Sequence, residues 1–170
     1  MLFRSGIDIS VGSIIAISAS VSASVIVMSG NVPLAILAGI FVGLICGMWN
    51  GMLVAYIGVQ PMVATLILYI VGRGIAQLVT GGQILTFTNK TFIFIGTGYW
   101  VIPFAVYITV LVVGIVFYLM RKTALGLFVE SIGVNNSASK FAGINSKRVI
   151  FSLYVICGIL SGIEIGRAHV

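Results

Sequence analysis

Residues 33–56 read PLAILAGIFVGLICGMWNGMLVAY, from Pro33 to Tyr56, with no charged side chain among them. A helix needs about 20 apolar residues to cross a hydrocarbon layer of about 30 Å, so this run is long enough to span a membrane. Within it Ala35, Gly39, Gly43, Gly47, Gly51 and Ala55 recur every four residues and share one helix face. A groove of small side chains lets a second backbone approach closely, which is how helices associate where lipid supplies no hydrophobic drive. Gly39, Gly43, Gly47 and Gly51 are therefore read as helix-packing positions, with a pathway lining as the alternative.

The rest of the chain has the same character. Hydrophobic residues make up 60% and charged residues 7%, with a mean hydropathy of +1.24, whereas soluble domains carry roughly 25% charged residues. Three further runs, Ser10 to Ser29, Met62 to Val79 and Val101 to Met120, reach spanning length, and another begins near Val149 and is cut short. Lipid offers no partner to unpaired backbone groups, so all of them are expected to be helices. The predicted fold class is all-α, a polytopic transmembrane helical bundle. On a 100° wheel the first run places Gly12, Ser13, Ala16, Ala19, Ser20, Ala23 and Ser24 on one face. Ile14, Ile15, Ile17, Val21, Val25 and Ile26 fall on the other, toward lipid. The hydroxyls of Ser13, Ser20 and Ser24 are candidates for a polar pathway; close helix packing is the plainer reading of the same serines.

Residues 121–148 break the pattern. They hold Arg121, Lys122, Glu130, Lys140, Lys147 and Arg148, half of the charged residues in the chain. Gly133 and Asn135, then Ala138, then Gly143 and Ile144, outline a turn, a helix cap, a short helix of small residues and a glycine stop. That is the outline of a docking helix, and Glu130, Gly133, Asn135, Ala138, Gly143 and Ile144 are assigned to it. Basic residues gather in cytoplasmic loops, which places the 121–148 loop in the cytoplasm. Counting back, the 81–100 loop is external, the 62–79 run goes outward, the 33–56 run inward and the 10–29 run outward, with Tyr99 and Trp100 at the outer interface. A re-entrant bend at Gly58 to Pro61, in place of a turn, would reverse everything before it.

Polar residues in or beside the runs require a reason. An Arg at the bilayer centre costs about 2.5–3.5 kcal/mol on insertion scales, so Arg73 either faces the bundle interior or reaches outward. Asp8 precedes a helix that Ser10 is placed to cap, and a carboxylate there is favoured by the helix dipole. Asn50, beside Trp49, reads as interfacial, and Gln77 lies one turn beyond Arg73. Asp8, Asn50, Arg73 and Gln77 join the serines as candidates for an intramembrane polar pathway. Cys46 and Cys157 sit singly in apolar runs and read as packed thiols. No phosphate-binding glycine loop, carboxylate pair or nucleophile constellation is present, so the chain is expected to bind no ATP or other cofactor itself and to catalyse no bond chemistry.

Both ends look foreign. Glu164 to Val170 reads as the translation of a common short-read sequencing adapter (GAG ATC GGA AGA GCA CAC GTC), and Met1 to Ser5 fits its opposite strand. The expectation is an internal fragment, residues 6–163, of a single transmembrane domain.

The run from Gly6 to Ser13, GIDISVGS, resembles the signature of the membrane subunits of ribose-type sugar ABC importers. Thr123 to Gly126 followed by Gly133 to Ile144 is similar to that family's coupling loop, although Ser137 and Ser139 stand where relatives often have acidic residues or alanine. Trp49-Asn50-Gly51, Gln60 to Ile67, Gly72 to Gln77 and Arg121 to Gly126 resemble the galactofuranose permeases of enterobacterial type. The resemblance implies a permease-type bundle, part of a larger helical domain, in a bacterial plasma (inner) membrane. It also implies partners: a second permease, cytoplasmic ATP-binding subunits that hold ATP and Mg, and an external sugar-binding protein. Alternatives are a secondary transporter or channel, which needs an ionisable relay in the spans, and a membrane scaffold, which leaves the charged loop unexplained.

Overall fold

The computed structural model describes residues 7–83 and 104–163. The two chain ends and residues 84–103, which include most of the expected external loop with Tyr99 and Trp100, lie outside the described residues. The helices are α1 (Val11–Ser29), α2 (Val32–Met52, continued by a π-helical turn Leu53–Ile57), α3 (Pro61–Thr80), α4 (Phe104–Lys122), α5 (Ala124–Val134), α6 (Asn136–Phe141) and α7 (Ser146–Ile163). Proline opens α2 and α3, where its missing N–H is one the helix could not pair. Gly58, at φ 84°, ends the second span in the left-handed region that a glycine enters without strain.

Among the described residues four helices are long and apolar enough to cross a membrane: α1, α2 with its π turn, α3 and α7. The run expected to be cut short is an 18-residue helix, α7. The helices α4 and α5 meet at a bend of 74°. The eleven-residue α5 is a correction to the reading of residues 121–148 as a polar stretch with one short helix. Its first six residues, ALGLFV, are apolar, and the charges flanking them hid that pattern.

Packing centres on α1 and on the pair α2 and α7. Gly43 faces Gly158 and Gly162, Gly47 faces Gly158 and the Tyr154 carbonyl, and Gly51 faces Phe151 and Tyr154. A Cβ on Gly47 would stand 2.6 Å from the Tyr154 oxygen and 3.1 Å from Gly158 Cα, so there is room for hydrogen only. Late residues of α2 meet early residues of α7 and the reverse, so the two helices run antiparallel. The small-residue stripe on α2 thus meets a second one on α7, and backbone lies directly on backbone.

The helix α1 touches α2, α3 and α7. It therefore has no broad lipid face, and the two-sided wheel is corrected: Ile14, Ile17 and Ile26 are 1%, 4% and 5% exposed. Ile14 and Ile17 pack with Cys46, Leu68 and Ala76, and Gly72 of α3 closes against Ser13 and Ile17. The serines supply local bonds: Ser13 Oγ donates to the Ser10 carbonyl, Ser20 Oγ to Ala16 and Ser24 Oγ to Ser20. Ser22 was not singled out from sequence, yet its Oγ donates across helices to the Ala35 carbonyl at 2.9 Å. α4 makes its main contact with α5.

Candidate functional site

Two arrangements carry the candidate residues. The first is the hairpin of α5 and α6. Arg121 and Lys122 close α4, where positive charge suits the helix dipole, and the Arg121 guanidinium lies over the Phe117 ring at 5.4 Å. The chain then bends at Thr123, with Gly126 pressed against the Met120 carbonyl, a place no side chain could occupy. Asn135 ends α5 in an extended conformation and caps α6: its Oδ1 accepts from the Ala138 N–H at 3.2 Å. Its carbonyl accepts from both the N–H and the Oγ of Ser139. Gly143, at φ 82°, stops the helix, and the Ile144 N–H returns to the Ser139 carbonyl at 3.0 Å. Asn145, not anticipated from sequence, caps α7 through the Arg148 N–H at 3.3 Å.

Both ends of α6 are thus fixed by named bonds. Glu130, Asn135, Ala138 and Ile144 line an open groove of about 490 Å³ with Leu127 and Val134. Gly143 and Ile144 border a second groove of about 370 Å³ against Phe128, Arg148 and Ser152. Gly133 lies in open space and lines neither. Val134 and Phe141 are 83% and 93% exposed. The short helix thus has defined ends, open grooves on both sides and exposed apolar side chains. Among the described residues no cluster of His, Cys, Asp and Glu could hold a metal ion.

The second arrangement is a buried polar junction between α1, α2 and α7. Asp8 Oδ1 accepts from the Ser10 N–H at 2.9 Å and from Ser10 Oγ at 2.6 Å. Ser10 therefore does not cap α1 with its own side chain. Instead its Oγ accepts from Asn50 Nδ2 at 2.8 Å, joining α1 to α2. Asn50 is fully buried at 0% exposure, which corrects the interfacial reading; only its backbone neighbour Trp49 faces outward. Asn50 Oδ1 and the Tyr154 hydroxyl are buried without a hydrogen-bond partner, and Asp8 lies close enough to Tyr154 and Cys157 of α7 to interact with both. The two sequence stretches GIDISVGS and Trp49-Asn50-Gly51 therefore meet in space, forty residues apart along the chain. Arg73 and Gln77 belong to neither arrangement and stand exposed on α3, with the Arg73 guanidinium over the Tyr69 ring at 4.8 Å.

Residues 1–164 match the protein family described as branched-chain amino acid transport system / permease component. The chain belongs to this permease family. Among curated relatives of this permease, the galactofuranose transporter permease protein of Escherichia coli (strain K12) is 42% identical over 159 residues, covering 93% of this chain and 47% of the relative. The fructose import permease protein of Bifidobacterium longum is 37% identical over 168 residues, covering 96% and 47%. The ribose import permease protein of Escherichia coli (strain K12) is 32% identical over 179 residues, covering 98% and 55%. The chain spans about half the length of these permeases. No solved structure matches it. The all-α, multi-pass bundle is the architecture of a permease component, with apolar helices of membrane-spanning length packed on one another.

Proposed function

We propose that this chain is part of the membrane-spanning subunit of an ATP-driven sugar importer, in a bacterial plasma membrane, and that α6 is its contact with a cytoplasmic ATP-binding subunit. The observation that carries the reading is α6 itself, capped by Asn135, stopped by Gly143 and joined through Asn145 to α7. A lever needs such fixed ends, because a frayed helix would absorb the motion that ATP-driven closure delivers. The relatives' names supply the sugar class, and a galactofuranose, ribose or fructose solute follows from them. A second permease and an external sugar-binding protein complete the proposed assembly.

The antiparallel pairing of α2 with α7 supports the orientation. α7 leaves the hairpin directly, and its early residues Phe151 and Tyr154 meet Gly51, late in α2. With the basic hairpin cytoplasmic, α2 runs inward and α1 begins at the cytoplasmic side, whatever the shape of Gly58 to Pro61. A second reading, an amino-acid permease, is favoured by the family's description alone. A relay-driven secondary transporter has, among the described spans, Arg73 inside and, at the edges, Asp8, Lys147 and Arg148 to work with.

The test is a full-length permease of this sequence, assembled with its ATPase in proteoliposomes. Uptake of ribose or fructose, with leucine excluded, is expected. At Gly143 the φ of 82° admits a leucine only with strain, so Gly143→Leu is expected to abolish sugar-stimulated ATP hydrolysis while the complex still assembles. Unchanged stimulation in that variant would refute the lever, and uptake of leucine in place of sugars would refute the substrate class.

A further inference from the structure

The intramembrane polar candidates divide into two groups. Ser13, Ser20 and Ser24 give their hydroxyl protons to backbone carbonyls of their own chain segment, and Asp8, Ser10 and Asn50 bond one another inside the junction. Arg73 and Gln77 do neither. The α3 helix buries Ala64, Thr65, Leu68, Gly72 and Ala76, and at 100° per residue Tyr69, Arg73, Gln77 and Thr80 form one strip beside that buried face.

Depth decides what this strip can face. At about 1.5 Å of rise per residue, the Arg73 Cα lies about 10 Å from the C-terminal end of α3 and about 18 Å from the N-terminal end. A snorkelling Arg would reach toward the nearer end. Arg73 turns the other way, over the ring of Tyr69, one helical turn closer to the middle of the span. Its charge is held near mid-depth on a face that no described helix covers. Lipid is a poor environment for it, whereas water is a good one.

We propose that Tyr69, Arg73, Gln77 and Thr80 form one wall of a water-filled solute pathway and contact a neutral, polyhydroxylated solute there. The inference rests on the sugar-permease reading above. A guanidinium fork and a carboxamide give the donors and acceptors that sugar hydroxyls pair with, and the Thr80 hydroxyl, whose own proton goes to the Ala76 and Gln77 carbonyls, adds an acceptor. The Tyr69 ring, partly open, offers an apolar platform for the C–H face of a pyranose or furanose ring. The strip contains no carboxylate, so a cationic solute has no partner on it. Because the chain spans about half the length of its relatives, the remainder of the longer protein is available to form the opposite wall.

The experiment uses the full-length transporter in proteoliposomes, with Gln77→Cys and, separately, Leu78→Cys, and a charged, membrane-impermeant thiosulfonate. Leu78 is 82% exposed and stands about 100° round the helix from Gln77, off the strip, where the proposal puts lipid. Gln77→Cys is expected to react at least tenfold faster than Leu78→Cys, and ribose or fructose under uptake conditions is expected to slow it several-fold, with leucine without effect. Equal rates at the two positions would overturn the pathway wall. Protection by leucine alone, or by no solute, would overturn the polyol assignment. Thr80→Cys provides the same reading if Gln77→Cys assembles poorly. Absence of sugar uptake by the unsubstituted transporter would instead sink the functional reading, whatever the labelling rates.

Discussion

Replacing Gly47 by alanine places one methyl group where α2 and α7 touch. The new Cβ would meet the Tyr154 oxygen at 2.6 Å and Gly158 and Val155 Cα at 3.1 and 3.2 Å, against ordinary contacts that begin near 3.4 Å. All three neighbours are backbone atoms, which cannot rotate aside. The helices must separate by roughly 0.8 Å at this point, and a gap of 0.5–1 Å forfeits about a quarter to a half of the dispersion energy along the seam. Overpacking of this kind costs about 1–3 kcal/mol, or about 5- to 150-fold in a folding equilibrium. Alanine also favours helix over glycine by about 1 kcal/mol, which would mask part of the loss. Gly74→Ala supplies the correction, since Gly74 is helical and has nothing within 4 Å of its added Cβ. Unfolding of the full-length protein in detergent by dodecyl sulfate, followed by circular dichroism, should separate the two variants by about 1–3 kcal/mol, with Gly47→Ala the weaker. Equal midpoints would refute the claim that backbone contact at this seam holds the bundle.

Other changes test the hairpin and the junction. Asn135→Ala removes the side-chain cap of α6 and should cost that helix about 0.5–2 kcal/mol, read as faster amide exchange at Ala138; unaltered protection there would show that the cap contributes nothing. At the junction, Ser10→Ala takes a donor from Asp8 and an acceptor from Asn50 and should cost about 1–3 kcal/mol. Asn50→Leu leaves Ser10 bonded to Asp8 and removes an unpaired oxygen, so it should cost less than Ser10→Ala in the same unfolding assay. The opposite ranking would show that the Asn50 bond is the stronger tie.

Several of these features were legible in the sequence because they are local. The stripe from Ala35 to Ala55 repeats within one helix, and the Asn135 to Gly143 outline is a matter of neighbours three and four residues apart. Features that depend on distant partners were not. Nothing in the residues near Gly158 and Gly162 says which helix they meet, and the Ser10–Asn50 bond links positions forty apart. The wheel for α1 failed for a related reason: it assumes two faces, one protein and one lipid, whereas α1 has neighbours on three helices. The apolar start of α5 was read together with its charged flanks, because a window wide enough to see the basic cluster averages out six apolar residues.

The seam between α2 and α7 also governs how displacement travels. Side chains that interdigitate can re-pack in small steps, but two backbones in contact have no rotamers to exchange, so the pair moves as a single stiff beam. One end of that beam runs through Asn145 and Gly143 into α6. A tilt imposed on the hairpin therefore swings two spans together, and the far end of α2, near Val32, should travel as far as the far end of α7.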